Sequence, residues 1–148
     1  MVGEFPKYIR VNTSSLKVAT FTKNYLEKKL KYPFSYGVSS RNILMLDFDC
    51  PDKPRDCLDE AIALCKALTN EYGSECCIYE TPNGYHLIFY RFLRWSTVKR
   101  ILRMLLYQPF CYLDTAHIEA SLRRGYITLR LNHIRIRYCI SNNVERWY

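Results

Sequence analysis

Nowhere does the chain reach the roughly 20 uninterrupted apolar residues that a membrane-spanning helix requires, so no membrane span is expected. The opening MVGEFPKYIRVNTSS has no apolar stretch of the kind a secretion signal carries, and the expected location is intracellular and cytoplasmic. No internal repeat, low-complexity tract or Gly/Ser linker divides the sequence, so residues 1–148 are expected to form one domain. The seven cysteines (Cys50, Cys57, Cys65, Cys76, Cys77, Cys111 and Cys139) include no C-x-x-C pair and no zinc-binding spacing. That excludes a zinc module and leaves most of them as small core residues. Glutamine is nearly absent, Gln108 alone, while Tyr, Lys and Arg abound. Such a composition leans towards hot habitats, where intracellular disulfides occur.

What is present is a globular balance of 49% hydrophobic and 24% charged residues. A chain of this length buries roughly 68–70% of its unfolded surface. Net charge is +8, and the basic residues crowd the second half, in RFLRW, KRILR, SLRRGY and LRLNHIRIR. A polyanion is the partner this charge suggests, and a solvated basic surface is the plainer alternative.

From residue 43 onward the hydrophobic period alternates legibly. Ile43 to Asp49 reads as a strand ended by the Pro51–Pro54 loop. Asp56 is placed to cap a helix from Cys57, with Leu58, Ile62, Cys65, Leu68 and Tyr72 on one face and Gly73 as its stop. Cys76 to Glu80 and Tyr85 to Tyr90 read as a hairpin around Pro82-Asn83-Gly84. Ser96 would cap a second helix with Val98, Ile101, Leu102, Leu105 and Leu106 as its buried stripe. A short segment at Cys111–Asp114 and strands at Tyr126–Leu131 and Ile134–Ile140 follow. The fold class expected is α+β. Its core, over 43–140, is a split βαββαβ unit of the ferredoxin-like or RRM-like kind, with the first and third strands side by side at the sheet centre and both helices on one face. Residues 1–42, with an amphipathic helix near Thr20–Tyr32, are expected as an N-terminal αβ extension packing on the sheet.

The stretch LMLDFDC, Leu44 to Cys50, then acquires a geometry. Side chains alternate along a strand, so Leu44, Leu46 and Phe48 would face the helices while Asp47 and Asp49 share the other face. The same alternation turns Leu87 and Phe89 to the helices and His86, Ile88 and Tyr90 to the open face, with His86 beside the aspartates. Two ionised carboxylates about 5 Å apart repel by roughly 3 kcal/mol at an effective dielectric near 20. A shared proton, an Arg or Lys partner, or a divalent cation must offset this, and hard cations such as Mg²⁺ favour carboxylate oxygens together with substrate phosphates. A strand-borne Asp-x-Asp beside a basic surface therefore suggests metal-assisted phosphoryl or nucleotidyl transfer. The plainer alternative is a pair of solvated strand-end aspartates held by arginines. Asp114, after a short apolar run, is a candidate third carboxylate, and Asp52 reads better as turn chemistry. Arg123, Arg124 and Arg130, in SLRRGYITLRL, are candidates for cradling phosphates bidentately.

These residues resemble the archaeo-eukaryotic primase superfamily, which includes primase-polymerases of plasmids and viruses. LMLDFDC is similar to its first motif, an apolar strand ending in Asp-x-Asp or Asp-x-Glu. YETPNGYHLIFY is similar to the second, a hairpin whose second strand bears a histidine, and CYLD to the third, a single acidic residue after the second helix. The resemblance spans about residues 40–131. It implies that Asp47, Asp49 and Asp114 bind catalytic Mg²⁺ or Mn²⁺, and that His86 and one of Arg123, Arg124 and Arg130 contact the nucleotide. It implies as partners nucleoside triphosphates, a single-stranded DNA template or primer-template, and replication proteins, in a chain of viral or plasmid type. It departs from the family at Gly84, two before the histidine, where many members carry Ser.

Two other readings compete. A catalytically inactive primase-like or RNA-recognition module would bind nucleic acid through aromatics on the open sheet face, where this chain instead places Asp47, Asp49 and His86. A partner-dependent subunit of a replication complex belongs to the same alternative. A phosphatase of the haloacid dehalogenase type also ends its first strand in Asp-x-Asp, but generally follows it with Thr or Val, where this chain has Cys50-Pro51.

Overall fold

The computed structural model describes residues 8–11, 37–130 and 134–148. The helix expected near Thr20–Tyr32 lies outside them. Eight strands and three helices are found among the described residues: β1 (Tyr8–Val11), β2 (Gly37–Ser40), β3 (Met45–Asp49), α1 (Arg55–Tyr72), β4 (Cys76–Thr81), β5 (Gly84–Phe89), α2 (Trp95–Leu106), α3 (Thr115–Arg124), β6 (Ile127–Arg130), β7 (Arg135–Ser141) and β8 (Val144–Trp147). The architecture is α+β. An antiparallel five-stranded sheet has the order β3-β5-β4-β7-β8, and a three-stranded sheet has the order β1-β2-β6, in which only β1 and β2 run parallel. No helix among the described residues is long and apolar enough to cross a membrane.

Apolar alternation builds the core. Leu46, Phe48, Ile78, Leu87 and Phe89 are fully buried, and α1 packs across β4, β5 and β7. Between α1 and α2 runs a groove of about 450 Å³, lined by Leu64 and Leu68 of the first and Ile101 and Leu105 of the second. Burying five such side chains contributes on the order of 10 kcal/mol against the unfolded chain.

Several expectations need correction. The first and third strands of the expected unit, β3 and β5, do pair, but β3 is the edge of its sheet and not part of the centre. The segment after α2 returns to that edge: Phe48 bridges Leu113, the Asp49 amide donates to the Tyr112 carbonyl at 3.0 Å, and the Asp114 amide donates to the Asp47 carbonyl at 2.8 Å. Strand β6 joins β2 in the other sheet, and β7 adds beside β4. The second face of the five-stranded sheet is not open along its length, since Met45, Tyr79 and Ile88 are fully buried and Tyr90 is 6% exposed. Neither Asp56 nor Ser96 caps its helix; Pro54 and Arg94 hold those positions with no side-chain cap bond. The hairpin loop is the two residues Pro82 and Asn83, with Gly84 already in β5.

Helix α3 is a further element, with no counterpart among the expected helices. Asp114 caps it, its side chain accepting from the His117 amide at 3.1 Å, and Gly125 stops it in the left-handed region at φ 84°. Six of the seven cysteines are buried, as expected, and Cys111 is exposed. Four of them form two disulfides, Cys50–Cys57 from the end of β3 to the first turn of α1, and Cys77–Cys139 between β4 and β7.

Candidate active site

The sheet edge is where the candidate residues meet. Strand register sets Asp47 opposite His86 on one side, and the edge segment sets Asp114 beside Asp47 on the other. Directly opposed residues of antiparallel strands share a face, so the row Asp114–Asp47–His86 lies on one side of the sheet. Asp49, two residues along the strand, points the same way and is exposed.

Glu60 of α1 positions this row. Its carboxylate accepts three successive backbone amides, from Cys111 at 2.7 Å, Tyr112 at 2.8 Å and Leu113 at 3.0 Å. Those bonds hold the edge segment against β3, which fixes Asp114, which in turn starts α3. Helix α3 carries His117, whose Nε2 lies 2.9 Å from the Thr128 carbonyl and so ties the helix to β6. Neither Glu60 nor His117 was a candidate by sequence. Glu60 lies off the buried stripe of its helix and gave no signal, whereas Asp114 and Gly125, three residues before and eight after His117, mark a short helix in hindsight.

Between β3, α3 and β6 opens a cleft of about 280 Å³, lined by Asp47, His86, His117, Arg124, Thr128, Leu129 and Arg130. Of the predicted site residues, it brings together Asp47, His86, Arg124 and Arg130. Asp114 touches Asp47 from the strand edge, Asp49 stands beyond the lining, and Arg123, exposed in the last turn of α3, does not line the cleft.

The Asp47 carboxyl carries opposing influences. Burial, the largest, pushes its pKa up, but hydrogen bonding and charge from His86, the charge of His117 and a hydrogen bond with Asp114 together hold it below its ordinary value. Asp47 is therefore ionised at neutral pH. His86 Nε2 lies 3.3 Å from Asp47 Oδ1. An ionised carboxylate only accepts, so Nε2 bears the proton directed at it. The Thr128 carbonyl likewise fixes the proton of His117 on Nε2. The Nδ1 atoms of both rings are buried without a hydrogen-bond partner.

The donor set suits a hard divalent cation, because two carboxylates sit side by side with a third on the same face. It is a loose set. Among the described residues, the one group of three potential ligands whose atoms all lie within 4.8 Å of one another is Glu75, Cys77 and Cys139, and its two sulfurs are joined in a disulfide.

Gly84 stands opposite Asp49 because nothing larger fits there. A Cβ at this position would lie 1.9 Å from the Phe48 carbonyl oxygen and 3.1 Å from the Cys50 amide nitrogen. A serine at this point of the hairpin is thus excluded by the backbone of the carboxylate strand.

No protein family, curated protein or solved structure matches the chain.

Proposed function

We propose that the β3 edge is the centre of a template-dependent nucleotidyltransferase, a primase or polymerase acting in nucleic-acid replication. The observation that carries this reading is the row Asp114–Asp47–His86 above a cleft whose far wall bears Arg124 and Arg130. In this reading the β3–α1–β4–β5–α2 portion is a split βαβ unit of the RRM-like kind, with the edge segment in the place of its fourth strand.

Asp47, Asp114 and Asp49 would hold Mg²⁺ or Mn²⁺, which when bound supplies charge neutralisation and Lewis acidity at the reacting phosphate. Arg124 and Arg130 would pair the triphosphate oxygens, while His86 Nε2–H, directed at Asp47, would hold that carboxylate in place or, released from it by the cation, turn to a phosphate oxygen. A nucleotide or primer hydroxyl then attacks the α-phosphate and pyrophosphate departs. The paired carboxylates and the cationic wall divide the work: one side holds the cation, the other the leaving group.

The test is incorporation of labelled nucleotides on single-stranded DNA with Mg²⁺ or Mn²⁺, comparing wild type with Asp47→Ala and Asp49→Ala. Loss of the carboxylate should lower incorporation by about a thousandfold, the equivalent of several kcal/mol of transition-state stabilisation. Equal activity in Asp47→Ala refutes the assignment. The looseness of the three-carboxylate set favours a second reading, a primase-like module that binds nucleic acid without catalysis or acts only with a partner. The non-catalytic module expects no Mn²⁺ binding by calorimetry in the isolated chain, and the partner-dependent subunit expects Mn²⁺ binding without nucleotide incorporation.

A further inference from the structure

A second charged surface lies across the sheet from the cleft. The Glu80 carboxylate accepts from Lys53 at 2.9 Å, Arg137 at 2.8 Å and Arg135 at 3.2 Å. Three cations thus share one carboxylate, whereas Arg55 with Asp59 and Lys66 with Glu145 pair one to one. The Arg135 side chain is 66% exposed, and the Nε of Arg137 is buried without a hydrogen-bond partner. Exposed rings lie at the end of the neighbouring strand β8. Trp147 and Tyr148 are 52% and 58% exposed, and the Tyr148 amide donates to the Arg137 carbonyl at 3.1 Å. The Arg55 guanidinium lies 5.9 Å over the Trp147 ring.

Cations alone describe any solvated basic face, and the exposed Asp52 and Asp56 beside Lys53 oppose a polyanion. The combination with accessible rings is more selective. Guanidinium and ammonium groups pair phosphate oxygens, and rings stack on bases irrespective of sequence. An acidic protein surface or an anionic membrane would use the same cations, and what favours a single strand is that it presents a phosphate and an unpaired base in every repeat.

We propose that Lys53, Arg135, Arg137, Trp147 and Tyr148 form a binding surface for single-stranded nucleic acid. It rests on the proposed function only in that the bound strand would run on to the cleft; binding itself stands apart from catalysis. The cationic surface starts at Lys53, just past the end of β3, and runs across Glu80 on β4 to β7 and the end of β8.

The experiment is fluorescence anisotropy of labelled oligothymidylates, 4 and 20 nucleotides long, titrated with the full chain over a range of NaCl. Trp147→Ala should weaken binding of the longer oligomer by roughly 5- to 150-fold, and Trp147→Phe should restore most of it. Lys53→Ala with Arg135→Ala should lower the slope of log affinity against log salt by about 1.4, and the 4-mer should bind far more weakly than the 20-mer. Circular dichroism and Tm establish that each variant is folded. Unchanged affinity and slope in folded variants overturn the proposal, as does a Phe variant no better than Ala. Loss of binding to anionic vesicles or an acidic peptide with DNA binding intact also overturns it. Absence of nucleotide incorporation alongside the predicted binding refutes only the catalytic reading; incorporation with unaltered binding in these variants refutes only this surface.

Discussion

The two edges of the five-stranded sheet are finished in opposite ways. At the β3 edge, a segment clamped by Glu60 closes the strand and brings a second carboxylate against Asp47. At the β8 edge, all four residues Val144–Trp147 are exposed, and among the described residues no strand pairs beyond them. The difference reflects what each kind of charge needs. Adjacent carboxylates repel, and they are useful only where backbone amides, imidazoles and a cation hold them in place. Cations awaiting a phosphate backbone need only access to solvent and a partner. On the readings proposed above, the first edge would hold a cation in position and the side chains towards the second would capture a strand.

The comparison is broken most severely at Gly84. A Cβ there collides with the backbone of the carboxylate strand, so Gly84→Ala should destabilise the fold by about 3 kcal/mol, as overpacking does. For a chain of this size that is a fall in Tm of roughly 6–12 °C, measured by calorimetric melting. An unchanged Tm would show that the hairpin and β3 are not held at this separation.

Glu60→Ala removes the acceptor of three amides and should reduce stability by about 2 kcal/mol. Nucleotide incorporation should fall by more than the stability loss explains, because Asp114 loosens from Asp47. A variant equally destabilised but fully active would separate the clamp from the site.

A smaller effect concerns acid. The Asp47 pKa in the fold lies below its ordinary value near 3.8. A depressed carboxyl contributes stability in full above the unfolded value and loses it as pH falls through the folded value. Asp47→Asn should therefore flatten the decline of stability below about pH 4, followed by urea melts across pH, with little change at pH 7 in the shape of the transition. The smallest effect belongs to the open edge. Val144→Thr should change stability by no more than about 0.5 kcal/mol, as for exposed positions in general; a large loss would mean that this edge is covered.

How legible these edges were depended on the range of the contacts. The Asp-x-Asp strand, the hairpin and the shared face of Asp47 and His86 follow from period-two alternation and a turn signal, which are local. Asp114 was readable as a candidate but not as a neighbour, since its place depends on Glu60, 54 residues away in sequence and on the less buried side of a helix whose stripe gives no hint of it. Helix α3 was missed because it buries only Ile118 and Ser121 and so shows no apolar stripe, although its Asp114 cap and Gly125 stop were present. The β2–β6 pairing joins residues about ninety apart, beyond any local pattern. Strand β8 has no buried residue, so its alternation carries no signal.

The central claim is that Asp47 and Asp114, brought together on the β3 edge, form a divalent-cation centre that receives a nucleoside triphosphate. It is tested most directly by electron paramagnetic resonance titration of Mn²⁺ into wild type, Asp47→Asn and Asp114→Asn, each with and without nucleotide. The account predicts Mn²⁺ binding by the wild type that tightens with nucleotide and is lost in both variants. Mn²⁺ binding that is the same in all three proteins, or absent from the wild type even with nucleotide, would contradict it.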